Sequence, residues 1–164
     1  MRLYKTLQSA ISATLAIICS LFIAAQDAGV IRPSIQLGTH PSPDARFDVV
    51  LRQNSMGGGV DLFVMKHCEP IFYAADISGY LWINNVLIYS SLPLYGSGGV
   101  YKYNPITETR SCIVDGNTNE YFELESFTTK TKKLAYYYSN DISHVDVERL
   151  KASKKAVRQV EIPN

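Results

Sequence analysis

Short apolar runs alternate with polar clusters along most of the chain. The runs are rich in Val, Ile, Leu, Tyr and Phe, and they are separated by Gly, Asn, Asp, Pro and Ser. Runs of this length and composition are typical of β-strands. The pattern therefore predicts an all-β fold, an antiparallel meander of short strands. The predicted strands are residues 47–52, 60–66, 70–75, 80–83, 86–90, 100–104, 110–114, 121–127, 133–139 and 144–150.

Several runs alternate in polarity, as strands do when their two faces meet different surroundings. In the run 100–104, Val100, Lys102 and Asn104 share one face, whereas Tyr101 and Tyr103 share the other.

The connections between runs have the residues of tight turns. Asn84 and Asn85 join two runs, and asparagine tolerates the positive φ that a two-residue hairpin turn needs. Asn104–Pro105 begins another turn, because proline presets φ at the second turn position. Residues 130–132 are expected to form a third turn.

The last twenty or so residues fit two interpretations. The pattern favours a strand at 144–150, a turn at KASKK and a final strand at 156–162. The alternative is one basic helix, since Val157 and Val160 are spaced three apart, as on a helix face.

An internal repeat runs through the middle of the chain. The segment GGVDLFVMK (58–66) resembles GGVYKYNP (98–105) at an offset of 40 residues, and a weaker third copy begins at KKLAYYY. Each unit has four predicted strands, and a four-stranded repeat of about 40–45 residues is typical of a β-propeller blade.

The segment LWINNVLIYSS…GGVYKYNPITETRSCIV resembles a blade of the TolB-like, WD-repeat-like propellers of bacterial envelopes. Trp82, Asn84 and Asn85 stand where such blades have a Trp and an Asp-Gly or Asn-Gly turn. The resemblance covers roughly 80 residues; Trp82 recurs in no other unit, and Asn84–Asn85 replaces Asp-Gly. It implies a fold and no ligand residues.

Closed propellers have four to eight blades, and this chain has room for about three. Three arrangements stay open: two chains forming one six-bladed ring, a truncated relative of a longer propeller, or a single β-sandwich or barrel. The sequence therefore predicts a partial or oligomeric propeller-like fold with a homodimer as one of its forms.

The N-terminus has the three parts of a secretory signal peptide. Arg2 and Lys5 form a positive region, an apolar stretch spans 10–25, and small residues surround Ala25. The apolar stretch is about 16 residues long, shorter than the ~20 that span a bilayer. We expect cleavage near Ala25, with cleavage after Ala28 or an uncleaved anchor as alternatives. The processed protein is then periplasmic or secreted and keeps no stable membrane span.

The expected organisation is a signal peptide at 1–25, a lead-in at 26–46 and a β-rich domain at 47–164. Charged residues make up 19% of the 164 residues, which is typical of a globular protein. The formal net charge of +1 gives no general attraction for nucleic acid, so no such partner is expected.

Cys68 and Cys112 remain after removal of the signal peptide. In an oxidising compartment they form a candidate disulfide, and two buried free thiols are the alternative.

Histidine and the glycine-rich loop offer no recognisable catalytic or metal site. His40, His67 and His144 have no partner at a metal-ligand spacing. The loop 94–99 lacks the Gly-x-Ser-x-Gly spacing of a nucleophile elbow. No cofactor is expected.

Two clusters of acidic residues are weaker candidates for a catalytic role. Glu123 and Glu125 share one strand face, although such residues usually carry no chemistry there. Asp141, His144 and Asp146 lie close in sequence, and a solvated turn explains them more simply.

Tyrosine is unusually common, with eleven residues against one tryptophan. Exposed tyrosines are enriched at binding surfaces, and packing between sheets is the alternative and favoured interpretation. The candidate interaction surface comprises Tyr95, Tyr101, Tyr103, Tyr136 and Tyr138.

These features together predict a non-enzymatic exported module that binds an envelope or extracellular protein or another macromolecule. A secreted or periplasmic hydrolase inhibitor is the alternative, with the loops 56–59 and 95–99 as candidate inhibitory segments. An enzyme is the third and weakest hypothesis.

Overall fold

The computed structural model describes residues 30–31, 38–53, 59–93, 98–153 and 157–162, which form an all-β fold as predicted. A 3-10 turn (Ile142–His144) and one α-helix, α1 (Val147–Ala152), precede the last strand. The strands of the described residues are β1 (Val30–Ile31), β2 (Thr39–Pro41), β3 (Asp48–Gln53), β4 (Val60–Lys66), β5 (Glu69–Ala74), β6 (Ile77–Ile83), β7 (Val86–Ser91), β8 (Gly99–Asn104), β9 (Thr109–Asp115), β10 (Tyr121–Thr128), β11 (Lys133–Ser139) and β12 (Val157–Glu161).

The strands form three antiparallel sheets. Sheet 1 has the order β2-β3-β4-β5, sheet 2 the order β6-β7-β8-β9, and sheet 3 the order β1-β10-β11-β12. Because β1 has two residues, sheet 3 contains three strands of ordinary length. The described residues close into neither a barrel nor a ring of blades.

Sheet 2 lies between the other two, and the core has two parts accordingly. One cluster joins sheets 1 and 2 and includes Leu62, Val64, Tyr89 and Tyr103. The other joins sheets 2 and 3. Strand β8 shows why: Tyr101 and Tyr103 belong to the first cluster and Val100 to the second, which confirms the predicted alternation.

The repeated segments occupy equivalent positions in two sheets. Residues 60–66 form β4 and residues 99–104 form β8, and each is the third strand of its sheet. The four predicted strands of the middle unit form sheet 2 in chain order. Sheet 3 differs, because its first strand comes from the N-terminal part of the chain.

The segment 26–46, interpreted as a lead-in, contributes two strands. Strand β1 pairs with β10, and β2 pairs with β3 through Thr39 opposite Val50. Sheet 1 therefore begins before residue 47. The predicted signal peptide, 1–25, lies outside the described residues.

The predicted turns at Asn84–Asn85 and Asn104–Pro105 are confirmed. Asn84 and Asn85 have φ values of 47° and 63°, as a two-residue hairpin turn requires. The side-chain Oδ1 of Asn104 accepts hydrogen bonds from the backbone N–H of Ile106, at 2.9 Å, and of Thr107, at 3.4 Å.

The turn between β8 and β9 contains Glu108 with a φ of 55°, a conformation that is unfavourable for a residue with a Cβ atom. Replacing Glu108 with glycine removes this strain but adds freedom to the unfolded chain. We expect a net increase of about 0.5–1 kcal/mol in the free energy of unfolding, measured by urea titration. Glu148→Gly, inside helix α1, should instead lower the free energy of unfolding, because glycine is unfavourable in a helix. Stabilisation by both variants would contradict this explanation.

The predicted strand at 144–150 is wrong. Asp146 caps helix α1, since its carboxylate accepts a hydrogen bond from the N–H of Arg149 at 3.1 Å. The final strand is confirmed as β12, which pairs with β11 through Tyr136 opposite Arg158. The C-terminal region is thus a helix followed by a strand, a combination of the two interpretations.

Helix α1 lies on the side of sheet 3 that faces away from sheet 2. Lys151 forms an ion pair with Glu123, with 2.8 Å between Nζ and Oε1. Glu123 alternates along β10 with Phe122 and Leu124, which face the core.

Candidate functional site

A cleft of about 560 Å³ opens between sheets 2 and 3, beside the β6–β7 and β10–β11 turns. This volume lies within the range of small-molecule binding sites. The residues that line it are Ile83, Asn84, Val86, Ile88, Lys102, Asn104, Thr109, Ser111, Phe127, Thr129, Lys132 and Ile162.

The sheet 2 wall of the cleft changes from apolar to polar across the strands. Ile88 on β7 is opposite Lys102 on β8, which in turn is opposite Ser111 on β9. In the neighbouring row, Asn104 is opposite Thr109. Strands β6 and β7 thus supply branched aliphatic side chains, and strands β8 and β9 supply hydrogen-bonding groups.

The sheet 3 wall depends on a β-bulge in β10. The register shifts between Leu124 and Ser126, so the alternation is reset and Phe127 lies opposite Leu134 of the core. Phe127 is buried, with 4% of its surface exposed. At the far end, the N–H of Ile162 donates to the carbonyl oxygen of Lys132 at 2.9 Å, which joins the end of β12 to the β10–β11 turn.

The charges that line the cleft are all positive. Lys102 and Lys132 are lining residues, and the described lining includes neither aspartate nor glutamate. Lys102 is half-buried, and no ion pair joins it to a carboxylate among the described residues. Its ammonium group therefore remains available to a negatively charged ligand.

A second cavity of about 240 Å³ lies at the opposite side of the same interface, where Val114, Asp115 and Phe122 line it. Two of its charged groups already contact Tyr138, since the Arg158 guanidinium lies over the Tyr138 ring, 5.0 Å from its centroid. The hydroxyl of Tyr138 donates to Glu120 at 2.5 Å, and this bond lowers the pKa of Glu120. The larger cleft is thus the better candidate site.

Three of the predicted surface tyrosines are core residues. Tyr101, Tyr103 and Tyr136 are 8%, 2% and 8% exposed, and the ring of Tyr103 stacks on Phe72 at 4.0 Å. They pack between sheets, the alternative interpretation, because their strands have both faces covered. Tyr138 is half-buried, and Tyr95 lies outside the described residues.

Cys68 and Cys112 are free and exposed in the structure, so the candidate disulfide is not formed there. Cys68 belongs to the β4–β5 turn of sheet 1 and Cys112 to β9 of sheet 2. Burial raises the pKa of the Cys112 thiol, and Asp115 adds to the effect.

The acidic residues considered for chemistry have structural partners. Glu123 binds Lys151 and accepts a hydrogen bond from the hydroxyl of Tyr121 at 2.7 Å. Glu125 accepts a hydrogen bond from Ser126.

Asp141 and His144 also interact with each other, at 2.8 Å between Oδ2 and Nδ1, and both are exposed. The hydrogen bonds from Ser143 and His144 lower the pKa of Asp141. This is the solvated turn expected as the simpler interpretation. No group of three or more metal-ligating side chains occurs within the described segments.

Sequence reasoning missed the cleft, although one signal pointed to it. Lys102 and Asn104 share a strand face with Val100, which is fully buried. A face that changes from buried to polar along one strand marks the place where two packed sheets separate.

No protein-family model, curated protein or solved structure matches the chain. The resemblance to TolB-like propellers thus gains no support from these comparisons. The structure itself shows an all-β protein with three small antiparallel sheets. In the part of the chain that the structure describes, no helix has the length and hydropathy needed to span a membrane.

Proposed function

We propose that the protein is a non-enzymatic binding module whose binding site is the cleft between sheets 2 and 3. The observation that carries the proposal is the cleft itself: about 560 Å³, with a sheet 2 wall that is aliphatic on β6 and β7 and polar on β8 and β9. Small-molecule sites typically combine an apolar lining with a few convergent polar groups.

The residues around the cleft support binding rather than reaction. Lys102, Asn104, Thr109 and Ser111 can donate hydrogen bonds, and the described lining holds no histidine, cysteine or carboxylate. A general base or an activated nucleophile would need one of these missing groups or a deprotonated lysine. The arrangement therefore fits recognition of a ligand with an apolar body and a polar end.

A variant that fills the cleft tests this proposal. Ser111→Phe places a large ring on the polar wall, and Thr107→Phe places the same ring in the exposed β8–β9 turn outside the lining. With the neutral fluorescent probe N-phenyl-1-naphthylamine, we expect Ser111→Phe to weaken binding by about tenfold or more, since the ring would occupy the probe's space. Thr107→Phe should bind as the original protein does.

Two outcomes of this titration would overturn the proposed site. One is an original protein that does not bind the neutral probe. The other is equal binding by the two phenylalanine variants, because the probe would then lie elsewhere.

We also propose that the module acts outside the cytoplasm and that its sheets are related to propeller blades. The signal-peptide pattern at 1–25 supports export. The matching strand order of sheets 1 and 2, with the repeated segments as third strands, supports the blade relationship. The two-chain ring and an envelope or extracellular protein as partner remain predictions.

The alternative function, inhibition of a hydrolase, gains no specific support. The loops 56–59 and 95–99 would be the inhibitory segments, and only Gly59, Gly98 and Gly99 of them are among the described residues.

A further inference from the structure

Lys102 occupies an unusual place for a lysine. It lies in the middle of a sheet that is covered on both faces, between Ile88 on one neighbouring strand and Ser111 on the other. Along its own strand and face, Val100 is fully buried. Lys102 is half-buried beside aliphatic side chains, and an anion at its ammonium group would compensate for the hydration lost there.

The described residues do not supply that anion. The ion pairs among them join Arg46 to Asp44, His144 to Asp141 and Lys151 to Glu123, all away from the cleft. The described residues that line the opposite wall include no carboxylate either. An anionic ligand would therefore improve the electrostatics of the cleft, whereas a cationic ligand would make them worse.

The aliphatic side chains of the cleft indicate that the other end of the ligand is apolar. Ile83, Val86 and Ile88 extend from the polar wall towards the buried core, and Phe127 and Ile162 face them from sheet 3. A ligand with its charge at Lys102 would place the remainder of its length against these side chains. Burial of a hydrocarbon chain there is favourable in proportion to its area.

We propose that the cleft binds a carboxylate with an apolar chain, a fatty-acid-like amphiphile, with its head group at Lys102 and its chain between the aliphatic walls. This inference rests on the proposed function and specifies its ligand. A carboxylate suits the site because one ammonium group, with Asn104 and Ser111 beside it, can neutralise and hydrogen-bond a single negative charge.

Three ligands with the same chain and different head groups separate the two proposals. Decanoate, decanol and decylamine are titrated calorimetrically into the purified protein, and each also competes with N-phenyl-1-naphthylamine. We expect decanoate to bind about tenfold or more tightly than decanol, and decylamine most weakly of the three, because a charge-assisted hydrogen bond forms only with the anion.

The variant Lys102→Met removes the charge and keeps an unbranched side chain of similar length. It should reduce decanoate binding to the level of decanol and leave decanol binding unchanged. Lys66→Met, at the exposed end of β4 in sheet 1, is the matched control and should change neither. The comparison of the three ligands on the original protein does not depend on either variant folding.

Equal binding of decanoate and decanol by the original protein would overturn the head-group assignment while the cleft stayed a binding site. The same conclusion would follow if Lys102→Met bound decanoate as tightly as Lys66→Met does. If none of the three ligands bound and N-phenyl-1-naphthylamine did not bind either, the proposed function itself would fail.

Discussion

Replacing Phe122 with alanine is expected to lower the free energy of unfolding by about 3–5 kcal/mol. Phe122 is 1% exposed and belongs to the cluster between sheets 2 and 3. Its ring lies 6.0 Å from the ring of Tyr136 and 5.4 Å from that of Tyr138, between centroids. Truncation removes these contacts and leaves a cavity that the neighbouring strands, hydrogen-bonded on both sides, close only in part.

Urea unfolding followed by circular dichroism measures the loss. Tyr73→Ala is the matched control, because Tyr73 is 52% exposed on sheet 1 and should change the stability by less than about 1 kcal/mol. If the two variants lost equal stability, sheets 2 and 3 would not be packed through Phe122 as described.

Alkaline pH is expected to destabilise the fold through its buried tyrosines, among them Tyr80, Tyr89 and Tyr121. Burial raises the pKa of Tyr80 and of Tyr89 to about 12, with the Arg110 guanidinium opposing the increase at Tyr89. An unfolded phenol has a pKa near 10, so the folded state disfavours the phenolate. The stabilisation is complete below pH 10 and is lost as the pH rises from 10 through 12. Two pKa units correspond to about 2–3 kcal/mol for each tyrosine.

The measurement is the free energy of unfolding in urea at pH 9, 10, 11 and 12. Tyr89→Phe should lose about 2–3 kcal/mol less stability over this range than the original protein, because one of the buried phenols is gone. The same pH dependence in Tyr89→Phe and in the original protein would contradict this assignment, and the loss would then belong to other tyrosines, such as Tyr121, or to lysines.

The strands could be predicted from the sequence because their polarity pattern is local. Sheet 2 alternates along β8, and its turns contain asparagines suited to positive φ. The start of β6 was missed: the strand begins at Ile77, and the register shifts between Ile77 and Gly79. A bulge interrupts the alternation, so the pattern was recognisable only from Tyr80 onwards.

The helix at Val147–Ala152 was missed for a related reason. Val145 and Val147 alternate with polar residues as in a strand, and the period of two concealed the cap at Asp146. One side-chain hydrogen bond to the helix N-terminus determined the local structure more strongly than a few alternating residues.

The cleft could not be predicted, because it depends on contacts between sheets rather than within them. Lys102 and Asn104 could be assigned to one face, but Phe127 reaches the cleft only because a bulge resets β10. Ile162 and Lys132 are thirty residues apart in sequence and come together through the pairing of β11 with β12. Contacts between residues this far apart in sequence leave no periodic pattern along the chain.

The placement of helix α1 gives the stack of sheets two unlike ends. At the sheet 3 end the helix, anchored by Lys151 to Glu123, obstructs a flat approach by a further sheet. At the sheet 1 end, the rings of Phe63 and Tyr73 lie 5.0 Å apart on the outward surface, and no described helix covers them. If two copies associated through this surface, each would bury its exposed sheet 1 face and would have no second such face for another copy. Growth would stop at a pair and could not continue into a fibre.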